Sequence, residues 1–149
     1  MTASLVFQIS NFAALLGWLI LAAGVIFDQP SWRNFWAGWL WPLALSLLYG
    51  LLIAFFFFKA DGGFDSLAHV QQLFTFEWAA LAGWVHYLAF DLVMGAYVAR
   101  RVIDAGLSRW WLLGLLPLTF MFGPIGFLAC ELVYALSRSS PSSNQRIVQ

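Results

Sequence analysis

The sequence predicts an all-α, polytopic membrane protein with four transmembrane helices and a short interfacial helix before the third. Hydrophobic residues make up 62% of the 149 residues and charged residues only 9%, and the mean hydropathy is +0.82. Soluble domains are about 45–50% apolar and about 25% charged. Since a bilayer span takes about 20 residues, the chain has room for about four spans and for no separate soluble domain.

The first two spans are predicted from the uncharged runs 5–27 and 35–58. No basic residue precedes Arg33, so we expect an uncleaved first span rather than a secretory signal. The residues between the two runs, 28–34, are polar and include a proline, and they predict a turn. Pro42 falls near the start of the second run, where a missing N–H costs little, or else it bends the helix.

The second half of the chain begins with a short amphipathic segment, residues 64–76, with Asp65 as the expected N-cap. This segment is too short to cross a bilayer, so we expect it at the membrane interface. The third span is predicted over 78–99 and the fourth over 110–136. Pro117 and a Gly-Pro-Ile-Gly turn should bend the fourth helix.

The serine-rich tail, 137–149, is expected to be disordered, which leaves residues 1–136 as one membrane domain. Basic residues in the loops indicate the orientation. Four arginines on one side oppose three basic residues on the other, namely Arg33, Arg100, Arg101 and Arg109 against Lys59, Arg138 and Arg146. This small excess favours both termini outside the cytoplasm, and we expect a multi-pass protein of a bacterial inner membrane.

Charge and cysteine usage exclude several classes of function. Seven basic and seven acidic side chains cancel, which argues against nucleic acid as a partner and leaves the lipid bilayer as the main one. The single cysteine, Cys130, excludes an internal disulfide, and with only two histidines no metal site is predicted. These residues identify no cofactor. A transporter of this length would have to be a homo-oligomer.

Two ionisable residues, His86 and Asp91, lie inside the third predicted span. Burying either one without a partner costs roughly several kcal/mol, so both are candidates for function. On a helix they lie about 140° apart and do not touch, although neighbouring helices could enclose both in one pocket. The alternatives are a structural hydrogen bond, a catalytic role or, for His86, a haem or metal ligand. For Glu131, late in the fourth span, Arg138 is the candidate partner.

The chain has nine tryptophans, and most fall near predicted span ends, as expected of aromatic belts. Trp39, Trp41 and Trp84 lie deeper. They are candidates to line a groove for a flat or polyene ligand, with ordinary helix packing as the alternative.

Three stretches resemble the abscisic-acid-deficient-four family, which includes the plant protein required for making neoxanthin. They are residues 77–92, with Trp84, His86 and Asp91, residues 99–101, and residues 121–127, with the Gly-Pro-Ile-Gly turn. The resemblance extends over roughly residues 64–136. It implies a small four-helix membrane protein of carotenoid chemistry, in which the epoxide of violaxanthin is isomerised to the allene of neoxanthin.

Such a rearrangement is redox-neutral and needs an acid for the epoxide oxygen and a base for a carbon-bound proton. With this resemblance, His86 and Asp91 become the candidate catalytic pair. Its motifs make Trp84, Tyr87, Pro124 and Gly126, together with Trp39, the candidate substrate contacts. The alternative is a non-catalytic protein that binds a carotenoid or haem, or that assists assembly of a carotenoid enzyme complex.

Overall fold

The computed structural model describes residues 2–139, and these are almost entirely helical. Among them, three helices are long and apolar enough to cross a membrane, which we name α1, α2 and α4. The predicted all-α membrane class is confirmed, whereas the count of four spans is not. The helices are α1 (Ala3–Ile26), α2 (Ser31–Lys59), α3 (Leu67–Leu73), α4 (Glu77–Asp104), α5 (Trp111–Met121) and α6 (Gly123–Ser139).

Helix α2 changes its winding along its length. Its first part, Ser31–Leu40, is a π-helix, Trp41–Phe56 is α-helical, and Phe57–Lys59 forms a last 3-10 turn. The wide turns end immediately before Pro42. A proline ring clashes with the carbonyl four residues earlier in an α-helix, and the wider winding relieves that clash. The turn predicted over 28–34 is therefore shorter than expected.

The short helix predicted before the third span is present, but it is confined to Leu67–Leu73. Its N-cap is Ser66, whose hydroxyl accepts a hydrogen bond from the backbone N–H of His69. The prediction of Asp65 as the cap was wrong. Its carboxylate instead pairs with Nδ1 of His69 at 2.7 Å, which is a local alternative to capping.

Helices α1 and α4 run parallel to each other. Near their starts, Phe7 packs on Trp84, and further along the Trp18 ring fills the space beside Gly95. A side chain at position 95 would collide with that ring, so glycine permits the close approach. Helix α4 is the central element, because half of its most apolar stretch is buried inside the protein.

Helix α2 runs antiparallel to α4. The Phe56 ring at its end stacks on Trp78 at 4.2 Å, near the start of α4, whereas Gly38 lies against Arg100 near the end of α4. The most apolar stretch of α2 is only 17% buried. This helix therefore presents most of its surface to its surroundings, as expected of a lipid-facing span.

The segment predicted as one bent fourth span forms two helices, α5 and α6, of 11 and 17 residues. Helix α5 starts from the connector after α4 and runs back along it until the Met121 carbonyl meets the Tyr87 hydroxyl. The chain then reverses at Phe122, whose φ of −147° and ψ of 69° end the helix. An element of 11 residues is about 16 Å long and cannot cross a bilayer alone.

Helix α6 returns in the direction of α4. Its first residue, Gly123, lies against Asp91 in the middle of α4, and the ring of Tyr134 lies 3.5 Å below the Arg101 guanidinium near the end of α4. We call α5 and α6 the helical hairpin and residues 121–123 its tip. The tip reaches the middle of α4, and both outer ends lie at the same end of the bundle.

That end, which we call the arginine end, holds the five arginines Arg33, Arg100, Arg101, Arg109 and Arg138. The expectation that Arg138 lies on the side of Lys59 was wrong, because the chain reverses at the tip instead of crossing. Helix α6 also includes residues 137–139, which were assigned to the tail. The rest of the predicted tail, 140–149, lies outside the described residues.

Candidate functional site

Asp91 lies in the middle of α4, facing the helical hairpin, and is 6% exposed. Its Oδ1 lies so close to Gly123 that any side chain at position 123 would collide with it. Its Oδ2 is buried and has no hydrogen-bond partner among the described residues. Gly123 is also the first residue of α6, and the positive end of a helix dipole favours a nearby carboxylate. The hairpin tip therefore covers and partly compensates this charge.

Tyr87 stands one helical turn before Asp91 and joins it to the tip. Its hydroxyl donates a hydrogen bond of 3.2 Å to the carbonyl of Met121, the last residue of α5. The same hydroxyl lies within interaction range of the Asp91 carboxyl group. We call Tyr87, Asp91, Met121 and Gly123 the tip cluster. Its polar atoms come together because α5 ends here and leaves its last carbonyls without helical partners.

Gly126 and Pro124 differ in role. Gly126 is buried where the two arms of the hairpin meet, and a side chain there would collide with Thr119 of α5. The Thr119 hydroxyl is directed inward and donates to the Leu115 carbonyl at 2.6 Å. Pro124 is exposed. The predicted substrate contact at Gly126 therefore lies inside the hairpin and serves its packing.

His86 lies on a different face of α4 from Asp91. Its imidazole is exposed and packs between the Phe90 ring at 4.6 Å and the Tyr49 ring of α2 at 5.3 Å. Asp91 faces the hairpin instead. The described residues thus do not enclose the predicted catalytic pair in one pocket, as the 140° separation had left open.

Trp84 lies beneath the hairpin tip, where α1 and α4 are not covered by the hairpin. Its indole Nε1 donates to the Asn11 side chain at 2.6 Å, and its ring lies 5.4 Å from Tyr87 and 5.6 Å from Phe7. All three rings are at least partly exposed. We call Phe7, Trp84 and Tyr87 the aromatic face. It is open to the bilayer and ends at the tip cluster.

Trp39, the remaining predicted ligand contact, is far from this site in the fold. It lies in the π-helical part of α2, is 55% exposed and stacks on Phe35 at 5.6 Å. This arrangement is typical of an aromatic belt rather than of a groove.

A groove with a volume of about 480 Å³ lies elsewhere, between α1 and α5. It contains none of the predicted site residues. The sequence did not predict this groove, because residues 110–136 were expected to form one span and no local pattern pairs them with α1. Its lining is apolar except for one arginine and comprises Leu15, Trp18, Leu19, Ala22, Val25, Ile26, Arg109, Trp110, Leu112, Leu113, Leu116, Pro117 and Phe120.

Two charged networks hold the base of the hairpin at the arginine end. Arg101 forms hydrogen bonds to Glu131 at 2.9 and 3.0 Å, and the Tyr97 hydroxyl donates to the same carboxylate at 2.7 Å. The predicted partner of Glu131, Arg138, instead donates to the Tyr134 hydroxyl. Helix α6 is therefore fixed to α4 by an ion pair between helices rather than within one.

The second network centres on Asp28 in the loop after α1. Arg109 lies 2.8 Å from its Oδ1, and Arg33 lies 3.9 Å from the same oxygen. The hydrogen bond and the positive charge of Arg109, with a smaller effect of Arg33, hold the pKa of the Asp28 carboxyl group below its usual value. Asp28 also has a φ of 49°, a conformation that Asp tolerates better than most residues.

Within residues 2–139, no group of three or more His, Cys, Asp or Glu side chains is placed to hold a metal ion. The site chemistry that these residues offer is proton transfer by the tip cluster, beside an aromatic face.

The model of the ABA DEFICIENT 4-like family matches residues 5–129. No curated protein and no solved structure matches the chain. The family match extends well beyond the motifs in residues 64–136 and includes α1, α2 and the tip of the hairpin. With most of its length matched, this membrane protein belongs to the ABA DEFICIENT 4-like family.

Proposed function

We propose that this protein is a membrane isomerase that acts on an end group of a carotenoid or related isoprenoid at the tip cluster. The observation that carries the proposal is the buried, unpartnered Oδ2 of Asp91 beside the Tyr87 hydroxyl. An unpaired carboxylate oxygen inside a membrane protein is costly and is a functional candidate by default. The suspected family chemistry, opening of an epoxide to an allene, needs this kind of group.

The reaction balances with two residues. Tyr87 donates its proton to the epoxide oxygen as the carbon–oxygen bond breaks, and the Asp91 carboxylate takes the proton from the adjacent polyene carbon. The electron pair of that carbon–hydrogen bond forms the new double bond. Asp91 then returns a proton to Tyr87, its neighbour on the helix, so the product is an isomer and the protein is unchanged.

The substrate approaches from the bilayer. Trp84 and Tyr87 are 39% and 36% exposed, and their rings offer flat apolar surfaces suited to a polyene end group. The Asp91 carboxylate lies behind Tyr87 and under Gly123. Access to Asp91 therefore requires the hairpin tip to move aside, while the base of the hairpin stays fixed by its two ion pairs.

His86 takes no part in this scheme, and its predicted catalytic role stays a separate prediction. The competing function is a non-catalytic carotenoid-binding protein, which the aromatic face alone supports. In that case the Asp91 carboxyl group serves only to interact favourably with the positive end of the α6 helix dipole.

For the membrane topology we propose three spans and a hairpin that enters and leaves at the arginine end. Among residues 2–139, five arginines at that end oppose Lys59 at the other, so in this topology the arginine end faces the cytoplasm. A four-span topology would require α5 and α6 to straighten into one helix and would break the contacts of Asp91 and Tyr87 with the tip. The bacterial inner membrane stays a prediction.

The test compares Tyr87→Phe and Asp91→Asn with Tyr49→Phe, a control tyrosine on α2 that lies outside the tip cluster. Product analysis of cells fed with violaxanthin measures conversion, and thermal unfolding in detergent measures stability. We expect both tip-cluster variants to lose conversion by roughly 10²–10⁴-fold, with the control unaffected. Full conversion by both variants would refute the isomerase. Loss of conversion only in proportion to lost folded protein would identify Asp91 as structural.

Absorption spectra of the same purified proteins separate the isomerase from the binder. A polyene spectrum retained by Asp91→Asn, together with lost conversion, supports the isomerase. Conversion absent from the wild type as well, with the polyene bound, supports the binder.

A further inference from the structure

The groove between α1 and α5 has the length of one leaflet of a bilayer. Its lining on α1 runs from Leu15 to Ile26, which is about 16 Å at 1.5 Å per residue. The hydrocarbon core of a bilayer is about 30 Å thick, so the groove covers about half of it. It begins at Arg109 at the arginine end and ends at Trp18 and Phe120, whose rings meet at 5.4 Å. These two rings close its inner end.

The mouth of this groove is positively charged. Arg109 lines the groove and pairs with Asp28, and Arg33 lies 3.9 Å from the same carboxylate oxygen. Two guanidinium groups thus share one carboxylate, which leaves an excess positive charge. This net charge attracts an anion to the mouth.

Arg33 has unusually few partners for a buried cation. It is 6% exposed, and its Nε and Nη1 atoms are buried with no hydrogen-bond partner among the described residues. The nearest carboxylate oxygen, on Asp28, lies 3.9 Å from Nη1, beyond hydrogen-bonding distance. The charge of Arg33 is therefore only partly compensated by Asp28, and it adds to the positive potential at the mouth of the groove.

We propose that the groove binds one acyl chain of an anionic phospholipid, whose phosphate group contacts Arg109 at the mouth, with the charge of Arg33 adding to the attraction. The apolar wall fits the chain from the interface to the middle of the bilayer, and the excess charge at the mouth fits the phosphate. Trp110, which is 79% exposed, stands at the mouth at the level of the headgroups. None of these residues belongs to the tip cluster, so the lipid site does not depend on the proposed isomerase.

Native mass spectrometry of the protein in mild detergent tests the site with equal amounts of phosphatidylglycerol and phosphatidylcholine of identical acyl chains. We expect phosphatidylglycerol to be retained about fivefold better, since one basic contact near the membrane surface contributes about 1 kcal/mol. Ala22→Phe, which fills the groove, should remove bound lipid of both kinds. Arg109→Gln should abolish the preference between headgroups while the chain still binds.

Two matched controls isolate the groove from the general surface. Ala44→Phe enlarges an exposed residue of α2, and Arg138→Gln removes an arginine at the same end but on α6. Equal retention of both lipids by the wild type would overturn the proposal, and so would losses in the controls as large as those in the groove variants. Competition by sodium phosphate alone, without chain dependence, would identify a free phosphate site and refute the lipid.

Discussion

The two faces of α4 each carry an ionisable residue, and they differ in how far that residue is buried. On the face toward the hairpin, Asp91 is 6% exposed, lies under Gly123 and is flanked by Tyr87. On the face toward α2, His86 is exposed and packs between the rings of Tyr49 and Phe90. The two residues are five positions apart, and both are ionisable side chains within an apolar span.

The two residues differ in how far the fold covers their side chains. The hairpin excludes lipid from Asp91 and brings a helix N-terminus to it, which makes a carboxylate tolerable there. His86 has no such cover, and its imidazole packs between the rings of Tyr49 and Phe90 at the surface of the bundle.

Asp91 is covered only if α5 and α6 form a hairpin, and membrane topology tests this with two clear outcomes. In a background with Cys130 replaced by alanine, single cysteines at Ala105 and Ser137 should react with a membrane-impermeant thiol reagent from the same side. A cysteine at Gly63 should react from the opposite side. The reason is that α5 and α6 reverse at the tip and return to the arginine end. Labelling of Ser137→Cys from the side of Gly63→Cys would show a fourth span and remove the cover from Asp91.

The next largest effect should come from Gly123→Leu. A side chain at this position collides with the Asp91 carboxylate, so it must displace the hairpin tip. We expect loss of violaxanthin conversion and a loss of stability of roughly 1–3 kcal/mol, the usual range for overpacking. Thermal unfolding and product analysis measure both effects.

Gly114→Leu is the matched control, because a Cβ added at Gly114 of α5 meets no atom within 4 Å. It should leave both stability and conversion close to those of the wild type. Equal tolerance at the two glycines would mean that the tip does not cover Asp91.

The sequence predicted the positions of most helices in this protein, but not how the helices contact one another. The lengths of the uncharged runs predicted the bounds of α1, α2 and α4 to within a few residues. This is because charged residues are costly inside a bilayer and therefore lie mostly at the ends of spans. The same rule failed for 110–136. An apolar run of that length fits one span or two shorter helices equally, and the choice depends on tertiary contacts at Phe122 and Gly123 that no local pattern contains.

The candidate site was predicted in the same uneven way. Helix periodicity correctly separated His86 from Asp91, since a five-residue spacing cannot place two side chains on one face. The resemblance drew attention to Tyr87, which the structure places beside Asp91. The contacts of Asp91 with Gly123 and of Arg101 with Glu131 join residues about 30 positions apart, so they could be found only from the fold.

A smaller effect is expected from His86→Leu. Leucine replaces an exposed polar ring with an apolar side chain on a surface that faces lipid, so thermal stability should stay the same or rise by a few degrees. Violaxanthin conversion should not change. Lost conversion in a variant of undiminished stability would contradict the contrast between the two faces and return His86 to a catalytic role. Asp91→Leu serves as the paired variant, and it should lose conversion.

The smallest effect concerns Asp28, an exposed aspartate that contrasts with buried Asp91. Its pKa is lowered from 3.8 by the hydrogen bond and charge of Arg109. A carboxyl group with a lowered pKa in the folded state stabilises the fold above its unfolded-state pKa, and this contribution disappears as the pH falls through the folded-state value. The melting temperature of Asp28→Asn should therefore lie slightly below that of the wild type near neutral pH, and the two should converge in acid. Because the pair is exposed, the difference should be small and should shrink with added salt.

Asp104→Asn, at the same end but without an ion pair to the described residues, should show no such convergence. A difference between wild type and Asp28→Asn that persists unchanged in acid would show that the charge of Asp28 is not its cause, and asparagine tolerates the φ of 49° as well as aspartate does.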